Sequence, residues 1–176
     1  MQIREAERSE LDLLLELDHT YETEKVWQME SETQEGKPNA KFRIARLPRP
    51  MKVQCPQDPQ LMESNWKRFS AILVAEENEN IPAYIALSEA FENDTVWVLD
   101  GVVHPLKRRK GIGTALLLHA QRWAVKQSKR QIALALQSKN YPAIQLAQKL
   151  GFEFSGYHDH FFGNRDIALF FSKELD

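Results

Sequence analysis

The sequence predicts a mixed α/β (α+β) fold in which helices pack on one central, mostly antiparallel sheet. Three β-rich runs joined by short polar loops predict an antiparallel meander: Ser70–Glu77, Ala83–Ala90 and Val96–Val103. A helix, a strand and a second helix follow them, and two further strands close the chain. Strands followed by helix, strand, helix and strands are typical of a layered domain with one sheet.

Length, composition and charge indicate one domain without a membrane segment. The 176 residues are 43% hydrophobic, enough for one filled core, so we expect a single domain over residues 1–176. The net charge of −2 gives no overall attraction to nucleic acid. Cys55 is the one cysteine, which excludes an intrachain disulfide and indicates a reducing compartment. The charged first residues and the lack of a long apolar run predict a cytoplasmic protein.

The first third of the chain begins with a predicted helix. Ser9 is a typical N-cap residue, and four leucines supply one apolar face: Leu11, Leu14, Leu15 and Leu17. The stretch Glu16–Glu35 is rich in carboxylates and ends at a turn signal. After it, Phe42, Ile44 and Leu47 predict a short strand. The prolines that follow predict an extended, irregular segment.

The second half of the chain has clearer periodicity. An apolar face recurs at helical spacing to about Lys129, carried by Ile112, Leu116, Ala120, Trp123 and Ala124. The run "QIALALQ" has the length of a strand, and "YPAIQLAQKLG" has proline at a helix start and glycine at its end. The runs "FEFSGY" and "DIALFFSKEL" predict the two closing strands.

The segment "HPLKRRKGIGTAL", from His104 to Leu116, predicts a phosphate-binding loop. It follows a strand and opens a helix, whose first amide N–H groups have no partner within the helix and attract anions. Gly111 and Gly113 allow the backbone to come close to a ligand. Arg108, Arg109 and Lys110 add positive charge. A Walker loop and a dinucleotide fingerprint fit less well, because neither full pattern is present.

Two motifs together resemble the GNAT superfamily of N-acetyltransferases. Arg108-x-x-Gly111-x-Gly113 after a strand resembles its acetyl-CoA pyrophosphate motif, and "NYPAIQLAQKLGF", from Asn140 to Phe152, resembles its second motif. The similarity runs from about Gln2 to Leu175. Within the superfamily, "LELDHTYETEKVWQ" and "SGYHDHFFGNRDIALFFS" look most like the streptothricin acetyltransferases.

This resemblance implies a GNAT-like sheet that is splayed between two parallel strands, Val96–Val103 and Ile132–Leu136, with acetyl-CoA in the opening. The backbone of Val102, Val103 and His104 would pair with the pantetheine arm. Asn140 would bind near the acetyl end. The pyrophosphate would be held by the remaining cofactor residues: Arg108, Arg109, Lys110, Gly111, Ile112, Gly113 and Thr114. The resemblance implies no metal.

In such enzymes an amine attacks the thioester directly, without an acyl-enzyme, so Cys55 is interpreted as a packing or surface residue rather than a nucleophile. The resemblance implies Asp100 as the base, because it lies in the strand that would line the cleft and an acidic residue stands at this place in the streptothricin group. A carboxylate inside an apolar strand is also costly to bury without partners. The alternative is a carboxylate at a strand end that only forms a turn with Gly101. Glu89 and His104 are weaker candidates for the base. The backbone N–H of Val103 could stabilise the developing oxyanion.

The proton donor for the departing thiolate is where the sequence departs from the family. Tyrosines common in the family are replaced here by Ala147 and by Phe161 and Phe162. Tyr141 is the predicted substitute, and two histidines are alternatives: His158 and His160. This departure leaves open a second reading, an acetyl-CoA-binding sensor or scaffold without turnover.

The acceptor is expected to be a primary amine: a small cationic amine, a streptothricin-like antibiotic or a peptide amine. An N-terminal helical region rich in carboxylates would form an acidic wall that attracts it, and these residues are Asp18, Glu22, Glu24, Glu30, Glu32 and Glu35. Nucleic-acid binding through "KRRK" is disfavoured, because no aromatic residues are interleaved with the cluster. A homodimer is left open.

Overall fold

A seven-stranded sheet forms the centre of the structure. The computed structural model describes residues 1–34, 37–55, 63–64, 66–89 and 94–176, with the backbone alone for 31–34 and 37–39. In spatial order, the strands of the sheet are β1 (Gln2–Glu5), β4 (Ala71–Glu77), β5 (Asn80–Glu89), β6 (Thr95–Val103), β7 (Gln131–Gln137), β9 (Ala168–Glu174) and β8 (Glu153–His158). Only the β6–β7 pair is parallel among these described strands. The predicted mixed, mostly antiparallel sheet is therefore confirmed.

Three helices flank the sheet within the described ranges: α1 (Leu11–Leu15), α2 (Ile112–Lys126) and α3 (Tyr141–Lys149). The apolar faces of α2 and α3 pack on one side of the sheet, where the core contains Leu116, Ile144, Leu134 and Phe171. The short helix α1 covers the other side, where Leu14 packs in a second cluster. The helical periodicity of the sequence predicted α2 and α3 correctly, although α2 ends at Lys126 rather than about Lys129.

The start of the N-terminal helix differs from its prediction. A single 3-10 turn at Arg8–Glu10 leads into α1, and its N-cap is Glu7, whose backbone N–H donates to Glu10 Oε2 at 2.8 Å. Ser9 therefore lies inside the turn, and the prediction of Ser9 as N-cap is wrong. A glutamate serves as the cap here because it forms a capping box with Glu10.

A long antiparallel ribbon replaces the predicted acidic helical region and irregular segment. It consists of β2 (Tyr21–Gln34) and β3 (Lys37–Val53). The register of the ribbon shifts between the pair Thr23–Met51 and the pair Lys25–Arg46. Residues 47–50, which include two prolines, therefore have no partners in the ladder. Proline is tolerated at such a bulge because no ladder hydrogen bond is required of it. The predictions of a helix and of only a short strand here are wrong.

Gly101 in β6 is required by the packing of the neighbouring strand. A Cβ at this position would lie 2.9 Å from Ile85 Cγ2 and 3.4 Å from the Tyr84 carbonyl oxygen. We expect Gly101→Ala to lower the free energy of unfolding by about 1–3 kcal/mol, because this overpacking must shift β5. Urea unfolding measures the change. Gly163→Ala is the control, since a Cβ at Gly163 meets nothing within 4 Å, and equal stability of the two variants would contradict this account.

Candidate active site

A β-bulge opens a gap between the two parallel strands. Residues Thr95–Val98 of β6 pair with Gln131–Leu134 of β7, and the pairing stops there. On the other side of β6, Val98 faces Leu87 and Asp100 faces Ala86, so Leu99 is an extra residue. A bulge bends its strand and increases the local twist. The second half of β6 therefore diverges from β7, as the predicted splay between parallel strands requires.

The bulge also decides which face of the sheet carries Asp100. Val96 and Val98 lie in the core under α2 and α3, and strict alternation would place residue 100 on the same side. The extra residue moves Asp100 to the opposite side, where it accepts a hydrogen bond from the Tyr84 hydroxyl at 2.5 Å. Asp100 consequently lies on the face of α1, beside the gap.

The Asp100 carboxylate is held by three neighbours. Its Oδ2 accepts from Tyr84, and its Oδ1 accepts from the Gly101 N–H at 2.7 Å. His19 Nδ1 lies 3.9 Å from Oδ1, and the Asp100 side chain is 14% exposed. Burial, together with the adjacent Asp100 carboxylate, raises the pKa of Tyr84 far above its usual value. The hydroxyl therefore remains a hydrogen-bond donor that orients the carboxylate.

Backbone groups of β6 line the gap on alternate residues. The His104 N–H donates to the Pro82 carbonyl at 2.8 Å, so His104 and Val102 direct their peptide groups towards β5. The intervening Val103 and Gly101 direct theirs towards the gap. The N–H of Val103 points towards the gap, and its carbonyl oxygen accepts a hydrogen bond from Arg108 Nε at 2.7 Å. Of the three residues predicted to pair with the pantetheine arm, Val103 alone has the required direction.

The predicted phosphate loop leads directly into the start of α2. Arg109 and Gly111 both adopt left-handed backbone conformations, with φ of 62° and 85°. These two residues lie just before α2, and Gly111 is the N-cap of that helix. The side chains of Arg109 and Lys110 are exposed beside the first amides of the helix. Ile112, the first residue of α2, is buried, and the nearby Thr114 is half-buried.

Arg108 ties the loop to the rest of the protein. Its guanidinium donates to the carbonyl of Val103 and, from Nη2, to the carbonyl of Asp18 at 3.1 Å. Burial lowers the pKa of Arg108, although the Asp18 carboxylate opposes this effect. Within the described residues Lys107 forms an ion pair with Glu77. Among the described residues, the two exposed cations of the loop that form no ion pair are therefore Arg109 and Lys110.

Gly113 has a packing role that the sequence did not reveal. A Cβ at this position would lie 3.1 Å from Leu146 Cδ2 of α3 and 3.9 Å from Val103 Cγ2. Gly111, by contrast, has open space where a Cβ would be. The sequence assigned both glycines to close approach of a ligand. In the structure Gly113 allows α2 to approach α3.

Asn140 and Tyr141 lie where β7 passes into α3, at the edge of the sheet where the gap opens. Asn140 Oδ1 accepts from the Ala143 N–H at 3.2 Å and caps α3. A ligand would therefore meet the Nδ2 of Asn140. The ring of Tyr141 lies under Lys25 Nζ, which is 5.4 Å from the ring centre. This contact joins α3 to the β2–β3 ribbon.

Glu89, a weaker candidate for the base, lies away from the gap, and two positions where the family has tyrosines hold packed apolar side chains, Ala147 and Phe161. Glu89 pairs with Lys129 at 2.9 Å and faces Val96, at the closed end of the β6–β7 pair, so the structure excludes it from the gap. Ala147 is buried in the core. Phe161 packs against the rings of His158, Phe162 and Phe170. His160 interacts with the neighbouring Asp159.

Sequence reasoning missed several polar residues near the gap. Tyr21 donates to Gln137 Oε1 at 2.8 Å, at the end of β7, and burial raises the pKa of this tyrosine far above its usual value. His19 and Cys55 lie beside Asp100. No local pattern marks these residues, because β2 and β3 bring them to the sheet from distant parts of the chain.

The predicted acidic wall is a ribbon of mixed charge. Glu22 and Glu30 lie on β2, and β3 places Lys52 and Lys41 opposite them. Glu30 also forms an ion pair with Arg43. The side chain of Glu32 and all of Glu35 lie outside the described residues. The carboxylates that the structure describes on this ribbon are therefore largely balanced by cations.

A sheet that splays at one parallel pair, with a helix N-terminus beside the opening, defines the class of acetyltransferase folds. Residues 39–152, more than half of the chain, match the Acetyltransferase (GNAT) family. The chain therefore belongs to the GNAT family of acetyltransferases. No curated protein matches it in sequence.

Solved structures extend the similarity of fold to almost the whole chain. Nourseothricin acetyltransferase superposes with a TM-score of 0.84 at 20% identity, covering 99% of this chain and 98% of that one. A candidate streptothricin acetyltransferase of Bacillus anthracis, in complex with acetyl-CoA, has a TM-score of 0.77 at 19% identity over 99% and 97%. The ribosomal-protein-S18-alanine N-acetyltransferase of Escherichia coli has 0.68 at 17% over 99% and 94%. These identities support the fold alone.

The structure also bears on membrane association. None of the helices in the described ranges combines the length and the apolar composition needed to cross a bilayer.

Proposed function

We propose that the protein is an acetyl-CoA-dependent N-acetyltransferase that works as one domain over residues 1–176. The observation that carries the proposal is the bulge at Leu99, because it both opens the strand pair and turns Asp100 towards the opening. The acetyl group would pass from the thioester to a primary amine by direct attack. The cytoplasm is the proposed location, consistent with a single cysteine.

The residues of the gap fit acetyl-CoA as co-substrate. Val103 offers a backbone N–H towards the opening, and the exposed side chains of Arg109 and Lys110 directly precede the first amides of α2. Amides at a helix start and flexible cations bind diphosphate oxygens well. The acetyl-CoA complex of the Bacillus anthracis protein, which has the same fold, supports this assignment.

Asp100 is the proposed base. A protonated alkylamine, with a pKa of about 10.4, must lose a proton before it can attack a carbonyl carbon. The Asp100 carboxylate, oriented by Tyr84, would accept that proton directly or through water. As the nitrogen–carbon bond forms and the carbon–sulfur bond breaks, the Val103 N–H would stabilise negative charge on the carbonyl oxygen.

A tyrosine hydroxyl would return a proton to the departing CoA sulfur. Tyr141, next to Asn140 at the start of α3, is the proposed donor. Tyr21 is a second tyrosine near the end of β7 and is the alternative; its hydroxyl proton would first have to leave its hydrogen bond to Gln137 Oε1. A hydroxyl that remains protonated across the working pH range can supply this proton.

The acceptor is proposed to be an amine-bearing small molecule, such as a cationic amine or a streptothricin-like antibiotic, or a peptide amine. The fold similarity to nourseothricin acetyltransferase over nearly the whole length of both chains supports the antibiotic class. The half-buried Asp100 carboxylate supports a cationic acceptor. Two of the four loop cations are already engaged within the protein, Lys107 with Glu77 and Arg108 with the Val103 carbonyl. The loop therefore gives little support to nucleic-acid binding.

A free-thiol assay with an amine panel tests the proposal. The protein is first treated with a chelator to remove metal ions and is then mixed with acetyl-CoA and one amine of the panel, which includes streptothricin and nourseothricin. We expect release of CoA, and mass spectrometry should find a product heavier by one acetyl group. A reaction without amine is the control. If calorimetry detects acetyl-CoA binding but no amine causes release of CoA, the protein is better explained as an acetyl-CoA-binding sensor. The sequence supports this alternative, because Ala147, Phe161 and Phe162 stand where the family commonly has tyrosines.

A further inference from the structure

Three side chains from distant parts of the chain meet beside the gap. His19 precedes β2, Cys55 follows β3, and Asp100 lies in β6. One ligand atom of each lies within 4.8 Å of the ligand atoms of the other two. An imidazole, a thiol and a carboxylate are the three side-chain groups that zinc binds in proteins. Their convergence therefore raises the question of a metal ion.

The hydrogen bonds around His19 determine which of its nitrogens carries a proton. The Tyr84 hydroxyl has one proton, and it donates that proton to Asp100 Oδ2 at 2.5 Å. His19 Nε2 lies 3.1 Å from the same hydroxyl oxygen, so this nitrogen must be the donor in that contact. In the neutral form of the ring, Nδ1 then carries a lone pair and no proton.

The lone pair of His19 Nδ1 is buried and lacks a hydrogen-bond partner within the described part of the chain. A buried acceptor without a donor loses its hydrogen bonds to water and gains none in return. The His19 side chain is only 12% exposed, and Nδ1 lies 3.9 Å from Asp100 Oδ1. The unused lone pair is therefore directed into the cluster, where a cation would satisfy it.

We propose that His19, Cys55 and Asp100 bind one divalent transition-metal ion of the zinc class. The ligands are His19 Nδ1, the Cys55 thiolate and one oxygen of Asp100, and the fourth position is open to water from the gap. The metal-free protein is the form in which Asp100 acts as the base, because a carboxylate that coordinates the ion cannot accept the proton of the amine. Tetrahedral zinc requires ligand separations of about 3.3–3.8 Å. The distance between His19 Nδ1 and Asp100 Oδ1 nearly meets this, and the remaining separations close by about 1 Å through side-chain rotation.

The surroundings of the cluster favour such an ion over magnesium or calcium. A thiolate is a soft ligand, whereas magnesium and calcium take oxygen ligands almost exclusively. The thiolate and the carboxylate carry two negative charges, which a divalent ion neutralises; the thiol proton leaves to solvent on binding. Tyr84 holds both the second nitrogen of His19 and the second oxygen of Asp100, as outer hydrogen bonds do in metal sites.

Titration of the chelator-treated, reduced protein with cobalt(II) tests this site without acetyl-CoA or amine. We expect one equivalent to bind with a thiolate-to-cobalt charge-transfer band, and zinc to displace it. Cys55→Ser should lose the band, and His19→Ala should weaken binding at least tenfold. His119→Ala on α2 is the matched control and should bind as the unaltered protein does. Because binding is read by absorbance, its result is independent of acetyl transfer.

Two results would overturn the proposal: no thiolate band from the unaltered protein at millimolar cobalt, or unaltered affinity in a folded His19→Ala protein. Circular dichroism checks the fold of each variant. Tyr84→Phe keeps the ring in the core and removes only the hydroxyl that orients His19 and Asp100. It should weaken cobalt binding about 10–100-fold, and a folded Tyr84→Phe protein of unaltered affinity would contradict the assigned geometry.

Discussion

Asp100→Asn is expected to lower kcat/KM for acetyl transfer by about 10²–10⁴-fold, the usual contribution of a positioned base. The substitution is nearly isosteric, and the amide oxygen can still accept from Tyr84, although the amide NH2 group cannot accept from the Gly101 N–H as the second carboxylate oxygen does. The loss should be largest at lower pH, where the amine acceptor is more fully protonated. Steady-state kinetics across pH, with the amine identified by the panel, measure it.

Glu89→Gln is the matched control for this prediction. It removes an equivalent carboxylate from β5, but Glu89 pairs with Lys129 at the closed end of the strands. Its kcat/KM should stay within about twofold of the unaltered protein. Acetyl-CoA affinity should be unchanged in both variants, because neither side chain belongs to the phosphate loop. An Asp100→Asn enzyme with an unaltered pH–rate profile would remove Asp100 from the role of base.

Gly111→Asp is expected to abolish measurable acetyl-CoA binding, a loss on the order of a hundredfold or more, because it sets a carboxylate beside the diphosphate. The left-handed φ of 85° also strains any side chain at this position, by about 1–2 kcal/mol. Open space where the Cβ would lie means that no clash adds to this cost. Calorimetry measures binding, and urea unfolding measures stability.

Two further variants separate charge from strain. Gly111→Ala has the same backbone strain without the charge, so it should bind acetyl-CoA far better than Gly111→Asp does. Gly163→Asp adds the same charge in the loop between β8 and β9, where a Cβ meets nothing within 4 Å. It should bind normally. Normal binding by Gly111→Asp would show that the diphosphate is held elsewhere.

The sequence was sufficient where an element has its own periodicity. The meander of β4, β5 and β6, the helices α2 and α3 and the two closing strands were predicted within a few residues. It also identified the loop before α2, because glycines and cations between a strand and a helix form a local pattern. The ribbon of β2 and β3 was missed, since its prolines and charged residues resemble neither a regular strand nor a buried one.

The sequence by itself therefore determined the layered fold, and it predicted the phosphate loop and Asp100 as the candidate base. Only the tertiary structure decided what surrounds that carboxylate. One extra residue at Leu99 reverses the side of the sheet on which Asp100 lies, and a pattern of alternation cannot reveal such an insertion. His19 and Cys55 reach Asp100 through the folding of the β2–β3 ribbon against the sheet. Contacts between residues so far apart in the chain depend on packing, which local sequence does not encode.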